Sequence, residues 1–361
     1  LDIKTADWLI DPYNVFIVGD DETEGLYTSN NIGVSLYNVV GEDDTKIKAS
    51  TIETALATGN IGIMTDGTIF GGNDAGSQEG NIYVNSAITW DSANDLALIA
   101  HNNIYINKSI TATNDAGSLV LYYGQGALAS ENTANYYVKA PINLKAGDNF
   151  TTKLGSDGSE VTWKVITELG SAGSTTGTDL QGIIGNLSGN YVLGANIDAS
   201  ATKTTADGGD NWNSGAGFDP IGEGFLNKFE GDFDGLGHTI SDLYINNSSD
   251  ESIGLFGYTY DATVKNIGLT SANITGGVFQ AVVGGLVGNN NWSSTVSNSY
   301  VTGSITGGDQ AVVGGLVGKN NNRSSTVSNS YSTANVDGGA YAIVGGLVGY
   351  SYSSTISNSY S

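Results

Sequence analysis

The sequence predicts an all-β fold, a right-handed parallel β-helix (β-solenoid), from three observations. Short alternating apolar segments recur at fixed spacings of 21–31 residues. The breaks between them are made of Gly, Asn, Asp and Ser. Helical periodicity is almost absent. Period-2 alternation bounded by turn residues is the signature of short strands, and a fixed cycle of such strands is the signature of stacked coils. A β-propeller is the competing fold, but its blades need about 40–50 residues and four antiparallel strands each.

The 21–22-residue cycle lies in the first part of the chain. NIGIMTDGTI begins at Asn60, NIYVNSAITW at Asn81 and NIYINKSITA at Asn103. Within the copies Ile82, Val84 and Ile88, then Ile104, Ile106 and Ile110, alternate with polar neighbours. DLALIA (Asp95–Ala100) and SLVLYY (Ser118–Tyr123) supply further strands. The recurring Asn60, Asn81 and Asn103 are expected to form an amide ladder at a turn. The second part has a longer cycle. GGLVG recurs at Gly284–Gly288, Gly314–Gly318 and Gly345–Gly349, followed each time by STVSNSY or STISNSY (Ser294–Tyr300, Ser325–Tyr331, Ser354–Tyr360). A degenerate copy reads IGLFG at Ile253–Gly257. The Gly-Gly pair is expected to let neighbouring backbones approach closely. Two domains follow: 1–165 with short coils and 166–361 with coils of about 30 residues. At these coil lengths about 12–16 coils are expected, stacked about 4.8 Å apart in a rod on the order of 60–75 Å long.

Composition narrows the function. The 361 residues include 52 Gly, 3 Pro and no Cys, and carry a formal net charge of −24 with Arg323 as the single arginine. Such a chain is poorly made for phosphate contact, so nucleic acid is not an expected partner. No run of eighteen apolar residues occurs, so no helical membrane insertion is expected. Leu1 follows no visible leader, and Ser361 falls at the repeat position of Val301 and Ser332. A mature piece of a longer polypeptide is therefore expected.

The repeats carry a family resemblance. GGLVG with STVSNSY resembles the GLUG repeat of large bacterial surface proteins. FDPIG (Phe218–Gly222), FEGDFDGLGHTISDLYI (Phe229–Ile245) and LSGNYVLGANIDAS (Leu187–Ser200) are similar to the stretch that precedes such repeats. ADWLIDPYNV (Ala6–Val15) and NLKAGDNFTTKLGSDG (Asn143–Gly158) resemble filamentous-haemagglutinin-like and high-molecular-weight adhesins exported by two-partner secretion. The resemblance implies a secreted, cell-surface, non-enzymatic adhesin or matrix fibre. Its partners would be host-cell or matrix glycans and proteins, or other copies of itself, and an outer-membrane secretion partner would export it.

Candidate sites are few. Glu230, Asp232 and Asp234 alternate with Phe229, Gly231 and Phe233. On a strand the three carboxylates would leave one face about 6.5–7 Å apart. That spacing suits a solvated face, a calcium site or a two-carboxylate glycoside hydrolase, the enzymatic alternative. No cofactor is otherwise required. GDDETEG (Gly19–Gly25) approaches a calcium loop but has Asn31 where the twelfth-position Glu belongs. GEDD (Gly41–Asp44) and DGGDNW (Asp207–Trp212) read as polar loops. GGLVGKN (Gly314–Asn320) lacks the spacing of a phosphate loop. The two histidines, His101 and His238, lie in no triad-like context. Tyr300, Tyr331 and Tyr360 recur at one repeat position and would make either a ladder within the stack or a stripe for glycans or a partner. Eight N-x-[ST] sequons, at Asn107, Asn149, Asn186, Asn246, Asn247, Asn273, Asn291 and Asn322, could accept sugars. Uncapped strand edges would favour self-assembly into a filament.

Overall fold

The computed structural model describes residues 7–9, 14–23, 28–29, 37–38, 44–65, 80–203, 212–277, 279–322 and 324–361. Nearly all of their regular structure is strand, and the strands wind into a parallel β-solenoid of about 10 turns. Two compact units are formed by Leu1–Val165 and Ile166–Ser361. The turn count falls below the expected 12–16 because several coils are longer than the visible repeats. Asp95 lies one rung from Asn60, 35 residues away, and Asp232 one rung from Asn190, 42 residues away.

In the first unit a coil has three strands. One is Ile82–Val84, Ile88–Trp90 and Leu96–Ile99; the next is Ile104–Ile106, Ile110–Ala112 and Leu119–Tyr123. All pair in parallel, with Ile82 opposite Ile104, Ile88 opposite Ile110 and Leu96 opposite Leu119. These aliphatics are fully buried, so each inward position is an apolar ladder. The unit departs from simple winding in two places. Asn14–Val18 is inserted between Asp44–Lys48 and Ile82–Val84, although it precedes both in sequence. Val161–Ile166 turns back antiparallel along Gly147–Leu154.

The helix Ala49–Leu56 stands where a strand would otherwise lie beneath Ile88–Trp90. Ala49, Ile52 and Leu56, at helical spacing, are its buried face. The Glu53 carboxylate accepts the Thr89 backbone N–H at 2.7 Å, so the helix covers a sheet edge and satisfies one of its donors.

Asn60 does not share a ladder with Asn81 and Asn103. The amide ladder runs Asn14, Asn81, Asn103 and Asn135, each side-chain oxygen accepting the next backbone N–H at 2.9–3.0 Å. Asn60 caps a different face, where its oxygen accepts the Asp95 N–H at 2.9 Å. The 21-residue spacing between Asn60 and Asn81 is thus a step around the coil, not a step up it.

In the second unit a full coil has four strands, such as Val282–Gly284, Val287–Asn291, Thr295–Ser297 and Tyr300–Gly307. Each pairs in parallel with its copy one coil on: Val282 with Val312, Val287 with Val317, Thr295 with Thr326 and Tyr300 with Tyr331. The motifs have separate tasks. A Cβ on Gly284 would lie 2.0 Å from the Val287 carbonyl oxygen, and one on Gly285 2.5 Å from that of Gly315. The first glycine therefore permits the corner and the second permits the stacking. In SNSY the Asn takes positive φ at each corner (Asn298 50°, Asn329 48°, Asn358 48°), a conformation Asn tolerates better than most residues. The following Ser hydroxyl donates back across the corner, Ser299 to Ser297 and Ser330 to Ser328, both at 2.7 Å. It also accepts the N–H of the preceding coil, as Ser330 does from Ser299 at 3.1 Å.

The core of this unit runs from Ile166 to Val327; in it Phe229, Phe233 and Phe256 are in ring contact, and aliphatic ladders continue through Val283 and Val313, Leu286 and Leu316, and Val296 and Val327. A polar ladder runs beside them. Thr259 Oγ1 donates to Asn290 Oδ1 at 3.0 Å, and Asn290 Nδ2 donates to Asn320 Oδ1 at 2.8 Å, all three residues being fully buried. Among the described residues no helix is long and apolar enough to cross a membrane.

Candidate functional site

The expected carboxylate row is divided by the fold. Phe229 and Phe233 are fully buried, as strand alternation requires, but the three acids do not share one environment. Glu230 is exposed and pairs with Lys228 at 3.1 Å. Asp232 is half-buried and its Oδ1 accepts the Thr263 N–H at 3.0 Å. Asp234 is fully buried at a corner, where its Oδ1 accepts the Leu236 N–H at 2.8 Å and Asn266 Nδ2 at 2.9 Å, and Lys265 Nζ lies 3.5 Å from Oδ2. Asp234 thus closes the corner and has no exposed face to offer a substrate. Among the described residues no three His, Asp or Glu side chains gather as a metal site would require.

The other sequence candidates are placed as follows. Asp20 accepts the Ser50 hydroxyl at 2.5 Å, and Glu22 pairs with Lys46 at 2.8 Å. Glu24, Gly25, Asn31, Arg323 and residues 41–43 and 207–211 lie outside the described residues. His238 is buried with Nδ1 3.2 Å from Asn196 Oδ1, and the His101 backbone N–H donates to Thr65 Oγ1 at 2.8 Å. Of the sequons, Asn149 donates its amide to three backbone carbonyls, Asn107 to Asn85, Asn291 to the Tyr258 hydroxyl and Asn322 to Asn291. Asn247 is buried, whereas Asn186, Asn246 and Asn273 are exposed.

The tyrosines are brought together. Tyr300 and Tyr331 stack at 5.0 Å between ring centroids, and Tyr331 and Tyr360 at 5.1 Å, with their ring planes nearly parallel. The residue in register below Tyr300 is Gly268, where a Cβ would lie 2.4 Å from the Tyr300 ring. The first ring of the ladder therefore lies over a glycine. Burial, then the neighbouring phenols Tyr300 and Tyr360, hold the Tyr331 hydroxyl above the ordinary tyrosine range. Tyr360 keeps 63% of its surface exposed.

Two further aromatic faces were not singled out from the sequence. In the first unit Phe16, Tyr83, Tyr105 and Tyr137 stack at 4.7, 4.8 and 5.0 Å. The repeated NIY of Asn81–Tyr83 and Asn103–Tyr105 was the available signal. In the second unit Phe225 meets Tyr258 at 6.4 Å and Tyr260 at 6.2 Å, both edge to face. Tyr260 in turn stacks on Trp292 at 5.3 Å. Lys228 Nζ sits 5.2 Å from the Phe225 centroid and 4.8 Å from that of Tyr260. These residues share no repeat motif, so only the stacking of coils unites them.

The second unit of this β-solenoid carries GLUG repeats: residues 280–306 and 309–337 match the GLUG motif. The chain is similar to halomucin of Haloquadratum walsbyi, 35% identical over 200 residues, which is 53% of this chain and 2% of that protein. It is also similar to a protein described as a Gly-rich membrane protein of Evansella cellulosilytica, 42% identical over 77 residues, 21% of this chain and 9% of that one. The matched regions thus span small fractions of both relatives, and neither is named as a haemagglutinin. No solved structure matches the chain.

Proposed function

We propose that the chain is a segment of a large extracellular surface protein and acts without catalysis, as an adhesive or matrix-forming β-solenoid. The observation that carries this reading is the Tyr300–Tyr331–Tyr360 stack. It repeats one flat aromatic group about every coil on an outer face, giving a strip that a cell-surface or matrix partner could contact along its length. Coils tied by buried amide and hydroxyl ladders suit a segment that must hold that strip in register. One relative is named halomucin and the other is described as a Gly-rich membrane protein, and both names fit a surface location. The resemblance to two-partner-secretion adhesins supports the same placement and an outer-membrane partner for export.

Retention of the purified chain on cells, on extracellular matrix and on an immobilised layer of itself tests the proposal. Binding to at least one is expected, weakened at least about fivefold by Tyr331→Ala, the loss typical of a central interface aromatic. Retention on none of the three surfaces, or undiminished binding by a folded Tyr331→Ala variant, overturns it.

A further inference from the structure

The loop from Glu223 to Lys228 places two large apolar residues where water reaches them. Phe225 is 61% exposed and Leu226 92% exposed, in a turn closed by the Asn227 N–H donating to the Gly224 carbonyl at 3.1 Å. Burial would stabilise both side chains, so their exposure is not a packing solution. Yet Phe225 is held firmly, edge-on to Tyr258 and Tyr260, with Trp292 stacked behind Tyr260. The result is an aromatic wall whose outermost ring is open to solvent.

Beside that ring stand one fixed donor and one fixed acceptor. The Lys228 ammonium lies against the Phe225 and Tyr260 rings and 3.1 Å from the Glu230 carboxylate. Cation–π contact and ion pairing orient it before any ligand arrives, which lowers the ordering cost of binding. An exposed ring flanked by convergent donor and acceptor groups matches the two sides of a pyranose: a C–H face that stacks on aromatics and hydroxyls that need hydrogen-bond partners.

We infer that Phe225, Leu226, Lys228 and Glu230 form a carbohydrate-binding site for uncharged hexose glycans. The absence of charge on the ligand follows from electrostatics. Glu230 already neutralises Lys228, Glu223 is exposed on the same loop, and the chain carries −24 overall, so polyuronates and sulfated glycans are repelled. The inference goes beyond the adhesive reading and does not rest on it, since the site shares no residue with the tyrosine ladder.

Calorimetric titration of the whole chain with cellohexaose, laminarihexaose and mannohexaose, with hexagalacturonate as the anionic control, tests the site. At least one neutral hexasaccharide should bind and hexagalacturonate should not. Phe225→Ala and Lys228→Met should each weaken binding at least about fivefold. Tyr331→Ala should leave it unchanged, which separates failure here from failure of the adhesive reading. Phe225 is exposed, so its variant should keep the parent melting curve; if it does not, Leu226→Ser at the more exposed position carries the same expectation. No binding of any neutral hexasaccharide at millimolar concentration, preference for hexagalacturonate, or full affinity in the folded loop variants overturns the inference.

Discussion

Tyr300 and Tyr331, on successive coils, lie face to face with ring centroids 5.0 Å apart and planes 3° from parallel. Their backbones are paired in register, so the strand spacing of the solenoid sets the ring spacing. A single repeat position thus fixes a stack that no local sequence feature could build.

The middle ring has two stacked neighbours and the outer ones fewer. Tyr331→Ala is therefore expected to cost about 1–3 kcal/mol in urea denaturation, and Tyr360→Ala clearly less. Equal costs at the two positions would mean that stacking contributes little.

Alkaline pH should loosen the fold. Burial raises the phenols of Tyr191, Tyr258 and Tyr331, and burial together with the hydrogen bond to Glu160 raises that of Tyr122. The folded chain therefore holds these protons to higher pH than the unfolded chain, whose tyrosines ionise near pH 10. The stabilisation is complete below about pH 10 and is lost as pH climbs through the folded-state values. Melting temperature should stay level from neutral pH to about pH 10 and then fall, with tyrosinate absorbance rising later than in denatured chain.

Asn290 is the middle of a buried amide ladder, accepting from Thr259 and donating to Asn320 and the Ser294 carbonyl. Asn290→Ala should cost about 2–4 kcal/mol, because the orphaned partners stay buried. Asn290→Asp, nearly the same shape, should be at least as damaging, since it turns an oxygen toward the Ser294 carbonyl. Chemical denaturation of the two variants checks both expectations.

Salt should stabilise the chain. With 37 acidic and 13 basic residues, self-repulsion opposes compaction. Raising NaCl from about 10 mM to about 1 M shortens the screening length from about 30 Å to about 3 Å, so the melting temperature should rise. A flat or falling salt dependence would place the acids too far apart to interact.

The GLUG coils were readable because each motif residue does one task at one place. Gly284 and Gly285 turn and stack, Asn298 takes positive φ, Ser299 closes the corner and Tyr300 extends the ladder. The helix Ala49–Leu56 was legible in principle from Ala49, Ile52 and Leu56, but two turns of helix in a strand-rich chain give a weak periodic signal. Asn60 looked equivalent to Asn81 because spacing alone does not distinguish a step around a coil from a step between coils. Asp234 looked exposed because alternation describes a strand's middle, and Asp234 ends its strand at a corner.

By itself the sequence determined that this chain winds as a parallel solenoid, because a fixed period forces like residues onto like positions one turn apart. Only the tertiary structure decided that Phe225, Tyr260 and Trp292 meet, and that Glu230 faces Lys228 while Asp234 is sealed inside. Contacts between coils depend on how much chain each turn consumes, and that amount varies from 22 to 42 residues here with no local marker to announce it.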